Sequence, residues 1–202
     1  MRVPYAWRRS VALPVVLLDR LLRRLLGMFP YWDDPDCLFQ IRIIKAPRDM
    51  PLSGHPMPAG APVVELHFWN ENVPPMPEGG PHLAWARHFR FMAVESLRHL
   101  AQAVARDPRL KGVQAVKGTT VILDPSDHAE VRFLFERFGF CVRRYRSPLG
   151  CFGEFWENLY TWLLMAAFNL PSLKGRPPFG LSRSEIWMPV EELLHRYGDC
   201  SP

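Results

Sequence analysis

The period of the apolar positions changes several times along the chain, and each change marks an element. Residues 63–69 alternate strictly, with Val64, Leu66 and Phe68 on one side and Glu65, His67 and Trp69 on the other. A period of two with β-branched and aromatic residues predicts a strand with one buried face. Leu38–Ile44, Val113–Leu123, Phe140–Tyr145 and a short run near Ile186-Trp187 predict four more. Gly118, inside the third of these five, signals a bulge or a close backbone approach. Between strands the period lengthens. Trp85, Phe89, Met92, Leu100 and Val104 form the stripe of a long helix from Pro81 to Arg106, interrupted at Ser96, with Arg87, Glu95, Arg98 and Gln102 opposite. Val131, Leu134, Phe135 and Phe138 predict a shorter helix, opened by Asp127-x-x-Glu130 as a capping box and closed by Gly139. Val190–Tyr197 predicts a last one behind Pro189. The proline-rich stretch Pro47–Pro62 reads as a long loop. Strand, helix, strand, helix, strand predicts an α/β fold: a single mixed sheet with helices on its faces.

Two segments depart from the half-buried pattern. Residues 14–28 predict an amphipathic helix, Pro14 in its first turn, with Arg20, Arg23 and Arg24 on one face and Val15, Leu18, Leu22, Leu25, Leu26 and Phe29 on the other. It either lies in a membrane interface or packs as a surface helix on its own domain. Its apolar run from Val11 to Leu18 is too short for a membrane span and lacks the cleavage site of a secretory signal, despite the pair Arg8-Arg9. From Gly153 to Phe168 a helix has a polar first turn and an apolar remainder, which suits burial or a dip into lipid with Phe, Trp and Tyr at the headgroups. The expected organisation is a basic N-terminal helix over residues 1–30 and one α/β domain over 31–202.

Composition adds little to this. The chain of 202 residues is 48% hydrophobic with 21 prolines, and its net charge of +5 suits an anionic surface or a phosphate-bearing ligand. No basic run or motif points to nucleic acid. Cys37, Cys141, Cys151 and Cys200 lie far apart without a C-x-x-C pair, so reduced thiols in a cytoplasmic protein are expected, with peripheral attachment to the inner face of the membrane as an added reading.

The candidate chemistry gathers in two places. At the end of the opening strand stand His67, a general base by its ordinary pKa, Glu65 two residues away to orient it, and Glu71, an alternative base; Trp69 and Asn70 lie between as binding residues. Against catalysis stand a solvent-facing strand side and plain turn chemistry. The second place is the first turn of the apolar helix: Glu154, Trp156, Glu157 and Asn158, with Arg146 just ahead. Acidic residues there also complement the helix dipole. Asn70-Glu71 and Glu154/Asn158 are expected to face each other across one aromatic-walled cleft. The Gly79-Gly80 pair before the long helix offers backbone amides to an anion. No metal is expected, since tight ligand spacing is lacking.

The runs Leu66-His67-Phe68-Trp69-Asn70-Glu71 and Gly153-Glu154-Phe155-Trp156-Glu157-Asn158 resemble the YkoP-like family of bacterial proteins, over about Leu38 to Tyr197. That family also occurs attached to polysaccharide deacetylase domains, and the resemblance implies a cell-envelope setting without specifying a reaction. The order of elements, with Val131 to Phe140 as a helix-to-strand passage, is similar to the GNAT acyltransferases. That likeness implies an acyl-CoA donor, although Phe135 stands where the family often has a tyrosine acid and its glycine-rich pyrophosphate loop is missing. Two functions follow as expectations: a GNAT-like acyltransferase on an envelope lipid or sugar amine, or a non-catalytic lipid-, glycan- or protein-binding module that accompanies envelope enzymes. Partners would be such a small-molecule, lipid or glycan substrate, an anionic membrane surface or an envelope enzyme.

Overall fold

The strand that carries Glu65 and His67 lies inside the sheet and has different neighbours on its two sides. In the computed structural model, which describes residues 5–52, 55–121, 128–173, 181 and 183–198, the elements in chain order are α1 (Tyr5–Leu25), β1 (Phe39–Lys45), β2 (Met50–Leu52), β3 (His55–Met57), β4 (Pro62–Phe68), α2 (Leu83–Arg106), β5 (Ala115–Thr120), α3 (His128–Arg137), β6 (Cys141–Arg144), α4 (Gly150–Phe168), β7 (Ser184–Pro189) and α5 (Val190–Tyr197). The main sheet runs β1-β4-β5-β7-β6. Only the β4–β5 pair is parallel; the other three pairs are antiparallel. A parallel step needs a crossover, and α2 supplies it. The expected α/β class with one mixed main sheet is therefore what the chain forms.

One face of the sheet carries the main core. Ile41, Val64, Leu66, Val116, Ile186 and Met188 pack against Leu97, Leu100 and Ala101 of α2 and Leu193 of α5. Ser96, which interrupts the α2 stripe, is fully buried and serves as a clamp. Its hydroxyl accepts from the Leu38 amide at 2.9 Å and donates to the Met92 carbonyl at 2.7 Å, while Tyr31 donates to its backbone oxygen at 2.8 Å. The chain entering β1 is thereby tied to the crossover helix.

Several local expectations need correction. The Pro47–Pro62 stretch holds a hairpin, β2–β3, whose Met50, Leu52 and Met57 pack on Val63, Ala115 and Trp187 of the opposite sheet face. Its alternation is only three residues long on each side and interrupted by Pro51 and Pro56, which hid it from a periodicity reading. The strand expected near Ile186-Trp187 is β7, which inserts between β5 and β6 with all of its residues buried. Gly118 makes regular pairs with Leu66 and Ile186, so there is no bulge; a Cβ there would sit 3.0 Å from Ile186 Cγ1, and close approach is the reason for glycine. Gly139 closes α3 with φ of +90°, as its position after the helix predicts. Asp127 of the expected capping box lies outside the described residues.

The N-terminal helix also differs. It starts at Tyr5 and ends at Leu25, so Pro14 lies within it rather than in its first turn. At 1.5 Å per residue it is about 30 Å long. It packs beside α4.

Candidate functional site

Glu71, just beyond β4, is held by the N-terminal helix. Arg23 Nη2 donates to Glu71 Oε1 at 2.6 Å, and the Arg20 Nε lies 3.5 Å from the same oxygen. Burial alone would raise the Glu71 carboxyl, but the hydrogen bonds and charge of Arg23 and Arg20 outweigh it and hold its pKa below the ordinary value. Arg23 is almost fully buried, and both of its terminal nitrogens are hydrogen-bonded. Its Nη1 donates to Gln40 Oε1 at 3.2 Å and its Nε stands 3.0 Å from Asp19 Oδ2. Asp19 is completely buried, and its other oxygen accepts from Tyr160 of α4 at 2.8 Å. Burial, followed by that carboxylate, pushes the Tyr160 hydroxyl far up. One polar chain thus links α4, α1, β1 and the end of β4.

His67 pairs in register with Gln40 and lies beneath this chain. Burial lowers its pKa first; Asp19 and Glu65 oppose the shift, and Arg23 and Arg42 support it. A neutral imidazole in such a place is a packed polar group. Glu65 has partners other than His67. It pairs with Arg42 of β1 at 2.5 Å and with Lys117 of β5 at 3.4 Å. Lys117 also lies 3.7 Å from Glu185, which pairs with Arg48 at 2.8 Å and accepts from Trp187 Nε1 at 3.2 Å. The register places Arg42, Glu65, Lys117 and Trp187 in one row across four strands. Such charges satisfy one another across a sheet face.

The second polar motif has its own partners. Glu157 Oε1 accepts from Tyr145 at 3.0 Å and from Ser147 at 2.9 Å, and the Tyr145 hydroxyl is pushed up to about 12 by burial and then by that carboxylate. Arg183 donates to Asn158 Oδ1 at 3.0 Å and to Thr161 Oγ1 at 2.7 Å. These contacts anchor α4 to the segments beside β6 and β7. Glu154, Trp156 and Arg146 are exposed, and Asn70 is half-buried. Strand directions do put the ends of β4 and β6 on one sheet edge, as the expected shared cleft requires. Yet Glu71 is satisfied by α1 and Asn158 by Arg183; Tyr160–Asp19 is the polar contact that joins α4 to the Glu71 network.

Gly79 and Gly80 do not open α2. Gly80 donates to the Pro77 carbonyl in a turn, with φ of +93°, and α2 begins at Leu83 with the His82 side chain accepting from the Trp85 amide at 3.2 Å. The Gly80 amide is therefore spent within the turn. Among the described residues no group of three or more His, Cys, Asp or Glu is placed to hold a metal ion.

What the pairing leaves open is a cavity of about 430 Å³ between α1 and the end of β4, lined by Arg20, Arg23, Arg24, Gln40, Trp69 and Glu71 with Met28 and Asn72 at its margins. Arg23, Asp19, Gln40 and Tyr160 were not among the residues expected to build a site. Their one sequence signal was an Asp and an Arg four positions apart in a leucine-rich helix.

The outward side of α1 is the more unusual surface. Leu13, Leu17, Leu21 and Leu25, spaced by four, are all exposed, with Leu18 at one edge and Arg20 and Arg24 at the other. Inward lie Val15, Asp19 and Arg23, with Leu22 half-buried. On α4, Phe152, Phe155 and Trp156 are exposed and meet edge to face. Among the described residues no helix is long and apolar enough to cross a membrane.

A model of the YkoP domain matches residues 16–197, which takes in Asp19, Arg23, both polar motifs and every strand. The chain belongs to the YkoP family. No curated protein and no solved structure matched it. Both runs that carry the YkoP resemblance, 66–71 and 153–158, lie inside the matched span.

Proposed function

We propose that this YkoP domain is a non-catalytic lipid-binding module that works as a peripheral membrane protein, laying α1 along the interface of an anionic bilayer. The orientation of α1 carries the reading: its carboxylate and one guanidinium are buried, while a face of four leucines is left in solvent. Leaving those leucines wet forgoes about 1.5–3 kcal/mol of burial for each. Lipid recovers it without disturbing the inward network. Arg20 and Arg24 border the leucine face, where phosphates would lie, and Phe152, Phe155 and Trp156 on the helix packed beside α1 suit the headgroup layer. Each arginine near an anionic surface adds about 1 kcal/mol.

Vesicle flotation tests this. The full chain should float with phosphatidylglycerol-containing vesicles, less with pure phosphatidylcholine, and less as salt rises. Leu17→Ser/Leu21→Ser should abolish flotation while the fold, by circular dichroism, stays intact. A variant that floats like the parent would refute the reading, as would a dimer in solution that buries this face.

Acyl transfer to an envelope lipid or sugar amine is a second reading. It draws on the succession β4, α2, β5, α3, β6, the elements on which the GNAT resemblance rests. Of its proposed bases, Glu71 is tied into the α1 network and Glu65 into the Arg42–Lys117 row, while burial beside that network pushes the His67 pKa down. A ligand that binds only the folded state raises Tm, so a thermal-shift screen of acyl-CoAs discriminates the two.

A further inference from the structure

We propose that the cavity of about 430 Å³ beside α1 is a binding site for the phosphodiester headgroup of an anionic phospholipid. The inference rests on the membrane reading and specifies what α1 meets there. Three observations support it.

The first is charge. Arg20, Arg23 and Arg24 line the cavity against Glu71, with Asp19 directly behind Arg23. Three guanidiniums against two carboxylates leave one positive charge, the complement of one phosphodiester. Arg23 is consumed by Asp19, Glu71 and Gln40. Arg20 is not: its side chain is 58% exposed and its contact with Glu71 is long, at 3.5 Å. Among the described residues Arg24 forms no ion pair and is exposed. Two arginine heads one turn apart are therefore available to a phosphate, which arginine engages with paired N–H donors.

The second is the chemistry of the walls. Gln40 has its oxygen engaged by Arg23, so what it offers a ligand is its NH₂ group. Glu71 Oε1, the acceptor that would repel an anion, is taken by Arg23 and Arg20. Glu71 is then a positioning residue that holds Arg20 at the rim. Trp69 supplies an apolar wall for a glycerol backbone.

The third is placement. Arg20 and Arg24 sit at the edge of the face made by Leu13, Leu17, Leu21 and Leu25 on the same helix. A lipid whose chains lie along those leucines has its phosphate at that edge.

The experiment uses the full chain and soluble probes, so that it reads the cavity apart from the leucine face. Isothermal titration with sn-glycero-3-phosphoglycerol, with monomeric dihexanoylphosphatidylglycerol and with inorganic phosphate is run on the parent, on Arg20→Gln/Arg24→Gln and on Leu17→Ser/Leu21→Ser. Saturable binding of both diesters by the parent, at least tenfold weaker in the arginine variant and unchanged for glycerophosphoglycerol in the leucine variant, supports the site. This holds even if vesicle flotation fails, in which case the membrane reading falls and the diester site stands. Absence of saturable diester binding overturns the site even when flotation succeeds. So does equal affinity in the arginine variant. Inorganic phosphate binding as tightly as the diesters identifies a free-phosphate site and overturns the lipid assignment. Circular dichroism and Tm confirm that each variant is folded, and Arg20→Lys/Arg24→Lys should recover part of the loss.

Discussion

Helices α1 and α2 carry the same kind of pattern and use it in opposite ways. Each has an apolar stripe and a polar side. Helix α2 turns its stripe inward, burying Met92, Leu97 and Leu100, and turns Arg87, Arg90 and Arg98 outward. Helix α1 buries Asp19 and Arg23 and turns its leucines outward. What holds α2 is hydrophobic burial with one hydroxyl clamp; α1 packs beside α4 and is tied down by an Arg23–Asp19 ion pair with hydrogen bonds to Gln40, Glu71 and Tyr160. Amphipathicity therefore defines two faces of a helix but not which of them meets the protein. The partner surface decides: α1 packs beside α4, and its buried charges meet Gln40 of β1, Glu71 beyond β4 and Tyr160 of α4.

The largest loss of stability is expected from the α2 side. Leu100→Ala should cost about 2–5 kcal/mol of global stability in urea unfolding, because the buried site cannot collapse fully. The exposed Leu21→Ala should stay within about 0.5 kcal/mol of the parent, a gap that would close if α1 were packed like α2.

Next comes the polar seam itself. Arg23→Met strands the buried Asp19 and should cost about 3–5 kcal/mol of α1 docking, the usual penalty for one half of a buried pair. Hydrogen exchange should show the α1 amides losing protection while those of α2 keep theirs. Adding Asp19→Leu should restore most of the loss. If single and double variants lose equal protection, the ion pair is not what seats the helix.

The smallest expected effect is with pH. His67 has its folded pKa pushed down, so the unfolded chain binds the proton more readily. Its contribution is complete above the ordinary value of 6.5 and is lost as pH falls from there towards the folded pKa. Glu71, also depressed, contributes above its ordinary 4.5 and loses that contribution as pH falls through its folded pKa. His67→Gln should flatten the upper part of the acid limb and Glu71→Gln the lower part, read as urea midpoints between pH 7.5 and 3.5. Superimposable profiles for parent and His67→Gln would show that the imidazole is not desolvated by α1.

The parts of the fold that were legible are those where local period and burial agree. β4 alternates because one face meets α2, and α2 keeps its stripe because that face meets the sheet. Even the interruption at Ser96 was visible, though its reason, the Leu38 amide, lies 58 residues away. What could not be read depends on distant partners. The hairpin at 50–57 is too short for a period, and the insertion of β7 is a fact of topology rather than of its own residues. At the candidate site Glu71 was visible as a carboxylate at a strand end, whereas Arg23 was grouped with Arg20 and Arg24 on one face of the helix. The two are 48 residues apart, and the i, i+4 pairing of Asp19 with Arg23 was the local hint that this side of α1 is buried.

The placement of β7 also sets a timetable for synthesis. β6 has β7 as its neighbour in the sheet, and β5 has β7 on the side away from β4, yet β7 is translated last of the three. Ribosomes add about 5–20 residues per second. A nascent chain therefore holds β5 with an open edge, and β6 with no strand beside it, for on the order of seconds before Ser184 to Pro189 arrive. During that interval β1, β4, α2 and β5 can assemble, but the sheet ends in unpaired amides and carbonyls, the kind of edge that other chains join. Ribosome-bound chains halted just short of Ser184 should therefore be the species of this protein most in need of a chaperone.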